Sequence, residues 1–145
     1  MKIISTSNFE TARKQIASAK SPIIFSSDND DLNRKLIEKL PIEILLINQK
    51  NRKDFQKQRN SGLNHVLAKI AKKNNISIGI NLDEIIESRE KQKSQILARI
   101  KQNIILCNKN KLQMKFISEK HKRNTYDLKS LGLVLGMPTW MTKQL

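Results

Sequence analysis

A chain of 145 residues is one domain by length, able to bury a core but well short of the roughly 250 residues of a complete eight-unit α/β barrel. Its net charge of +15 points to a polyanionic partner, while an aromatic content of 4% leaves few rings for stacking single-stranded bases. The lone Cys107 excludes an internal disulfide or a cysteine zinc site, and with no long apolar run and no signal-peptide core the protein is expected in the cytoplasm, away from membranes.

Short β-rich apolar runs alternate with helical patterns along the chain, which predicts βα units around a parallel sheet. Ile3-Ile4 opens a first strand, and a helix follows from Asn8 to Ala19. Pro22-Ile23-Ile24-Phe25 forms a second strand, and Asp28 to Asp31 place acids where the next helix dipole favours them. Ile42 to Ile47 is a third strand, apolar enough to be buried on both faces. Residues Asn48 to Asn60 lack periodicity and read as a loop. A helix from near Ser61 to Asn74 should bury Leu63, Val66, Leu67 and Ile70 and turn His65, Lys69, Lys72 and Lys73 outward.

A fourth strand spans Ile76 to Ile80, followed by a short acidic helix at Asp83 to Ile86. The longer helix, Lys93 to Lys109, places Ile96, Ile100, Ile104 and Cys107 on one stripe, so Cys107 reads as a small buried residue. Met114 to Ile117 is a fifth strand, Tyr126 to Met137 a helix, and Pro138 opens a last helical turn. Close packing against the sheet would account for Gly132, and Gly136 could serve as a helix stop. No linker or repeat divides residues 1–145.

Charge is segregated along the sequence. Residues 49–75 hold eight Lys/Arg against one Asp, and residues 109–123 hold six against one Glu, the footprint of a surface for a phosphate backbone. In parallel α/β sheets the loops after the strand ends gather on one edge. The basic loop after the third strand and the loop with Lys120, Lys122 and Arg123 after the fifth should therefore share that edge. Asp127, four residues after Arg123, could pair with it and hold the guanidinium for phosphate, or act only as a helix-start acid. The candidate nucleic-acid-binding residues are Arg52, Lys53, Arg59, His65, Lys69, Lys72, Lys73, Lys120, Lys122 and Arg123, with Asp127 in support. A metal-dependent hydrolase would need several His and Asp ligands. Only His65 and His121 are present and no nucleophile–base pattern is legible, so no catalytic residues, metal or cofactor are expected.

The segment Arg59 to Gly79, containing Ser-Gly-Leu-Asn-His-Val-Leu-Ala-Lys, resembles the archaeal RNase P protein component 3 family, the archaeal and eukaryotic thirty-kilodalton subunit. The helix from Ile96 to Cys107 resembles the matching family helix, and Asp127 to Met137 closely resembles the family's C-terminal motif. The match runs collinearly over about residues 48–140, with no matching motif in the first 47. The resemblance implies a TIM-barrel-like (PHP-like) α/β fold of parallel βα repeats, shortened or incomplete, with about five to six strands. It implies a non-catalytic RNA-binding subunit of ribonuclease P, whose RNA removes the 5′ leader of precursor tRNA. The implied partners are the catalytic domain of RNase P RNA, protein component 2 and, indirectly, precursor tRNA. The family's basic position before its glycine falls on Arg59 or Arg52, its motif histidine on His65 with Lys69 following, and its motif arginine and acid on Arg123 and Asp127.

Two departures stand out. Family proteins are commonly longer by about two βα units in the N-terminal half, and Tyr126 stands where relatives often carry a base. The alternatives are a metal-dependent phosphoesterase of a PHP-like barrel and a stand-alone RNA-binding module.

Overall fold

The computed structural model describes residues 2–145. Five parallel strands, β1 (Ile3–Ser5), β2 (Ile24–Ser26), β3 (Ile44–Ile47), β4 (Ser77–Asn81) and β5 (Met114–Ile117), pair in the order β1-β2-β3-β4-β5. Each is separated from the next by helix: α1 (Phe9–Ala17), α2 (Asp30–Lys39), α3 (His65–Lys73), then α4 (Leu82–Glu87) with α5 (Glu90–Lys109). After β5 come α6 (Thr125–Leu135) and α7 (Thr139–Thr142). Sequential parallel order with intervening helices is the TIM-barrel arrangement carried through five strands. All five strands end on one edge, the C-terminal edge, where the helices begin.

Asparagine sets most helix starts. Asn8, Asn29, Asn64, Asn81 and Asn124 cap α1, α2, α3, α4 and α6, each accepting backbone N–H bonds of the first turn through its side chain. The cap satisfies donors that have no partner within the helix. Gly136 adopts φ 102 at the C-terminal end of α6, the left-handed stop expected of it.

The sheet has two buried faces, as the Ile/Leu content of β3 requires. Its outer face and the helices form the main core, with Phe25, Leu45, Ile78, Leu36, Ile96, Ile104 and Cys107 among its members. Burial of Cys107 pushes its thiol up to about 12, so it is an inert packing residue at neutral pH. The inner face forms a second cluster from Ile24, Ile44, Leu46 and Ile117, with Ile3 against it. The sheet is curved enough that Ile3 and Ser5 of β1 line the same small cavity as Ile117 and Ser118 at β5.

Three sequence expectations are corrected here. The helix expected from Ser61 starts at His65, because Gly62 takes a left-handed φ of 77 and Asn64 caps the next residue. Val66 therefore faces outward at 50% exposure, while Leu67, Ala68 and Ala71 form the buried stripe and Leu63 reaches the core from the loop. Gly132 is buried, but not to admit the sheet: an added Cβ would lie 2.8 Å from Met137 Sδ and 3.3 Å from Leu145 Cδ1. It gives the C-terminal segment room to fold back on α6.

Candidate nucleic-acid interface

The C-terminal edge carries two basic loops, residues 48–64 after β3 and 118–124 after β5, on either side of the β4–α4 junction. Adjacent acids at that junction anchor one loop each. Glu84 takes the first: Gln49 N donates to Oε2 at 2.8 Å and Lys50 N to Oε1 at 3.2 Å. Asp83 takes the second, accepting from Glu119 N at 2.9 Å, Lys120 N at 3.2 Å and His121 N at 2.9 Å. Farther along α4, Glu87 Oε1 lies 3.1 Å from His121 Nε2 and 3.7 Å from Lys120 Nζ. One short helix thus ties both basic loops to the same strand end.

The 48–64 loop is braced further by two arginines. Arg52 has its side chain only 9% exposed and bonds Asp30 through both terminal nitrogens at 3.0 Å, with its Nε donating to Asn48 O at 2.6 Å. Arg99, on α5, is 4% exposed and donates to Gln49 O at 2.9 Å, Arg52 O at 2.8 Å and Asp54 Oδ1 at 3.0 Å. Nearby, Gln49 Nε2 and Asn103 Nδ2 both donate to Ser61 O, at 2.8 and 3.1 Å. A loop without regular hydrogen bonding must satisfy its carbonyls through side chains, and these residues do so.

The surrounding carboxyls titrate accordingly. The hydrogen bond from Arg99, then the Asn60 N–H, holds the Asp54 carboxyl below its ordinary value. Burial alone would raise Asp83, but the N–H groups of Glu119, His121 and Lys120 outweigh it and hold Asp83 low. At Glu84 burial wins over the N–H donors of Gln49 and Lys50, and its carboxyl is raised.

These shifts set opposite pH dependences. Asp83, lowered in the folded state, contributes stability above its unfolded value of 3.8 that is lost as pH falls through the folded value. Glu84, raised, contributes below its unfolded value of 4.5, and that contribution is lost as pH rises through the folded value. Asp83→Asn is therefore expected to cost about 1 kcal/mol at pH 7, after discounting for solvent screening, with the gap closing below pH 3.8. Glu84→Gln should give a stability curve that climbs more steeply above pH 4.5 than the parent's. Urea titrations at several pH values measure both. A gap for Asp83→Asn that widens in acid would contradict the hydrogen-bond assignment.

The structure distributes the expected site residues unevenly. Lys53, Arg59, Lys120, Lys122 and Arg123 are exposed on the two loops, with Arg59 Nη1 3.5 Å from Asp54. His65 is exposed as the first residue of α3, at the same edge, and Lys69 is exposed one turn on. Arg52 points inward as a brace. Lys72 and Lys73 occupy the last turn of α3, about 10 Å along the helix axis and on the opposite edge of the sheet. The expected ion pair of Arg123 with Asp127 is not formed: Arg123 Nη1 donates to Lys122 O at 3.2 Å, and Asp127 takes part in no salt bridge among the described residues. Both side chains instead line a cleft with Leu82, Ile85, Leu128 and Leu131. In the first turn of α6 the Asp127 carboxylate favours the helix dipole without a partner.

Arg99, Asp83 and Glu84 were not singled out by sequence. Arg99 did leave a trace: with Asn103 it interrupts the apolar stripe of Ile96, Ile100, Ile104 and Cys107, where a charge requires a buried partner. The inner mouth of the sheet is polar and hydrogen-bonded, Asn81 Nδ2 donating to Asn48 Oδ1 at 2.9 Å and Asn48 Nδ2 to Ser26 Oγ at 3.1 Å, with Asp83 and Glu119 at its rim. No group of three or more His, Cys, Asp or Glu side chains that could hold a metal converges among the described residues. No helix among them is long and apolar enough to cross a membrane.

No family model matches the chain. Curated proteins do. The chain is 32% identical over 113 residues to Ribonuclease P protein component 3 of Methanosarcina mazei, covering 78% of this chain and 44% of that protein. The same protein of Methanococcus vannielii is 27% identical, over 75% of this chain and 46% of its own length. That of a Methanococcus maripaludis strain is 26% identical over 98% of this chain and 59% of its own. The chain spans about half the length of the curated relatives it matches. Its fold also matches a chain in the cryo-EM structure of archaeal Ribonuclease P with mature tRNA, with a TM-score of 0.80 at 22% identity, covering 97% of this chain and 62% of that one. By sequence the chain is similar to archaeal Ribonuclease P protein component 3, and by fold it is similar to a chain of archaeal Ribonuclease P.

Proposed function

We propose that the chain is a non-catalytic RNA-binding subunit of ribonuclease P, acting in removal of the 5′ leader of precursor tRNA by a catalytic RNA. The observation that carries this is the pinning of two basic loops to one strand end by the adjacent carboxylates of Asp83 and Glu84. Loops held in advance bind a phosphate backbone without the ordering cost that a mobile loop would incur. Lys53, Arg59, Lys120, Lys122 and Arg123 supply the contacts, His65 stands beside them at the head of α3, and the RNase P RNA is the polyanion. Protein component 2 is the protein partner, and the assembly works in the cytoplasm. A PHP-like phosphoesterase would need metal ligands at the strand ends, where this chain carries Ser26, Asn48 and Asn81.

Reconstitution tests the proposal. Adding the chain together with component 2 to the cognate RNA should lower the magnesium required for cleavage, and no stimulation would sink the reading. Arg123→Ala should weaken stimulation with the fold retained. Its RNA binding should lose about 0.7 to 0.9 from the log–log salt slope, one phosphate contact.

A further inference from the structure

Charge in this fold is sorted by edge. The first turns of α1, α2, α4, α5 and α6 carry acids, all at the C-terminal edge. The last turns of α1, α2, α3 and α5 carry lysines, all at the N-terminal edge. Complementing the helix dipoles accounts for one such charge at each helix end. It does not account for the second lysine in the last turn of α3 or for Lys111, in the turn before β5.

Pairing does not exhaust the positive charge of either edge. On the C-terminal edge Arg52, Arg59, Arg99, Lys120 and His121 all face carboxylates. On the N-terminal edge Lys72, Lys73, Lys109, Lys111 and Lys143 form no salt bridge among the described residues. Lys53, Lys122 and Arg123 form no salt bridge among the described residues either, so unneutralised positive charge stands on both edges of the sheet.

The N-terminal edge also holds a cavity of about 380 Å³, whose lining includes Lys72, Ser77, Lys111, Gln113 and Trp140. Its walls are fixed. Lys72 Nζ donates to Lys111 O at 2.9 Å, and Trp140 Nε1 donates to Asn108 Oδ1 at 3.0 Å. Gln113 Nε2 joins β5 to α7 by donating to Met114 O at 2.7 Å and Met141 O at 2.9 Å. Lys111 Nζ lies 5.8 Å from the centroid of the half-buried Trp140 ring, so an ammonium and an aromatic surface adjoin.

We propose that this cavity is a second RNA-binding site, which takes one nucleotide of a single strand. Its phosphate meets the Lys72 and Lys111 ammonium groups, and its base lies against Trp140. Phosphate neutralisation supplies affinity, and stacking on one ring adds to it without sequence preference. The site rests on the RNA-binding reading above and adds a surface on the opposite edge, so that the subunit contacts RNA at both ends of its sheet.

Trp140 is the only tryptophan of the chain, which makes its emission a local reporter. Titrating the full chain with a short fluorescein-labelled oligouridylate should raise the label's anisotropy and change Trp140 emission together. Lys72→Gln with Lys111→Asn should abolish the emission change and lower the salt slope by roughly 0.7, the single-strand value for the one phosphate the two ammonium groups share. Asparagine suits the left-handed backbone at Lys111, φ 54, so the variant is not strained there. Arg123→Ala, on the other edge, should leave the emission change intact. Binding by anisotropy with unchanged Trp140 emission and an unchanged slope in the double variant would overturn this site and leave the RNA-binding reading standing. Absence of oligouridylate binding would also overturn it, and only failure of the reconstitution would remove the broader reading.

Discussion

Arg99→Met is expected to destabilise the chain by about 3 kcal/mol and to loosen the basic loop after β3, although Arg99 itself is out of reach of solvent. Methionine replaces much of the aliphatic stem but none of the guanidinium donors. The carbonyls of Gln49 and Arg52 then lose their bonds from Arg99, at 2.9 and 2.8 Å, and a buried acceptor left without a donor costs about 1–3 kcal/mol. Arg99→Lys keeps the charge but cannot fork to three acceptors at once, so it should fall between the two. Urea unfolding measures the loss as a lower midpoint at unchanged slope. A loss under about 1 kcal/mol would mean that water replaces the guanidinium without cost. RNA affinity should fall in the same variant even in conditions where it remains folded, because Lys53 and Arg59 ride on the loop that Arg99 holds.

Gly62→Ala should cost a comparable amount, about 3 kcal/mol, for a different reason. The backbone there has φ 77, a conformation that penalises a side chain by roughly 1–2 kcal/mol. An added Cβ would also come 2.6 Å from Arg52 Nη2 and 2.7 Å from Ile47 Cγ2. Arg52 would have to give ground, and with it the paired bonds to Asp30 that hold the loop to the start of α2. A double-mutant cycle isolates this coupling. In an Arg52→Ala background the alanine at position 62 should cost less, the backbone penalty and the Ile47 contact remaining. Equal cost in both backgrounds would show that the arginine does not feel the new methyl.

The two variants strike one loop from opposite sides, which shows how its charges are divided between structure and function. Of its bases, Arg52 is consumed in bracing and Arg59 leans on Asp54, while Lys53 stays exposed. The sequence block of eight bases against one acid therefore overstates the charge available to RNA at this edge. Of the acids paired with it, Asp30 comes from a distant part of the chain and Asp54 lies within the loop itself.

Much of the fold was readable in advance because its signals are local. The apolar runs of β3, β4 and β5 and the stripe of α5 appear where periodicity places them. Gly136 is a helix stop, and Cys107 is a buried packing residue. α3 starts four residues later than its apolar spacing implies, because Gly62 and Asn64, a left-handed residue and a cap, override that spacing.

The sequence by itself determined the elements, their alternation, the parallel order that follows from it, the resemblance to one family, and the sharing of one edge by two basic loops. Only the tertiary structure decided which charges are used up. Arg52 meets Asp30 across 22 residues and Arg99 meets Gln49 across 50, so no local pattern distinguishes these arginines from solvated ones. The same holds for Lys72, which shares a helix face with His65 in sequence but lies on the other edge of the sheet. Periodicity fixes the direction of a side chain around its helix axis, and only the packed chain fixes what stands at each end of that axis.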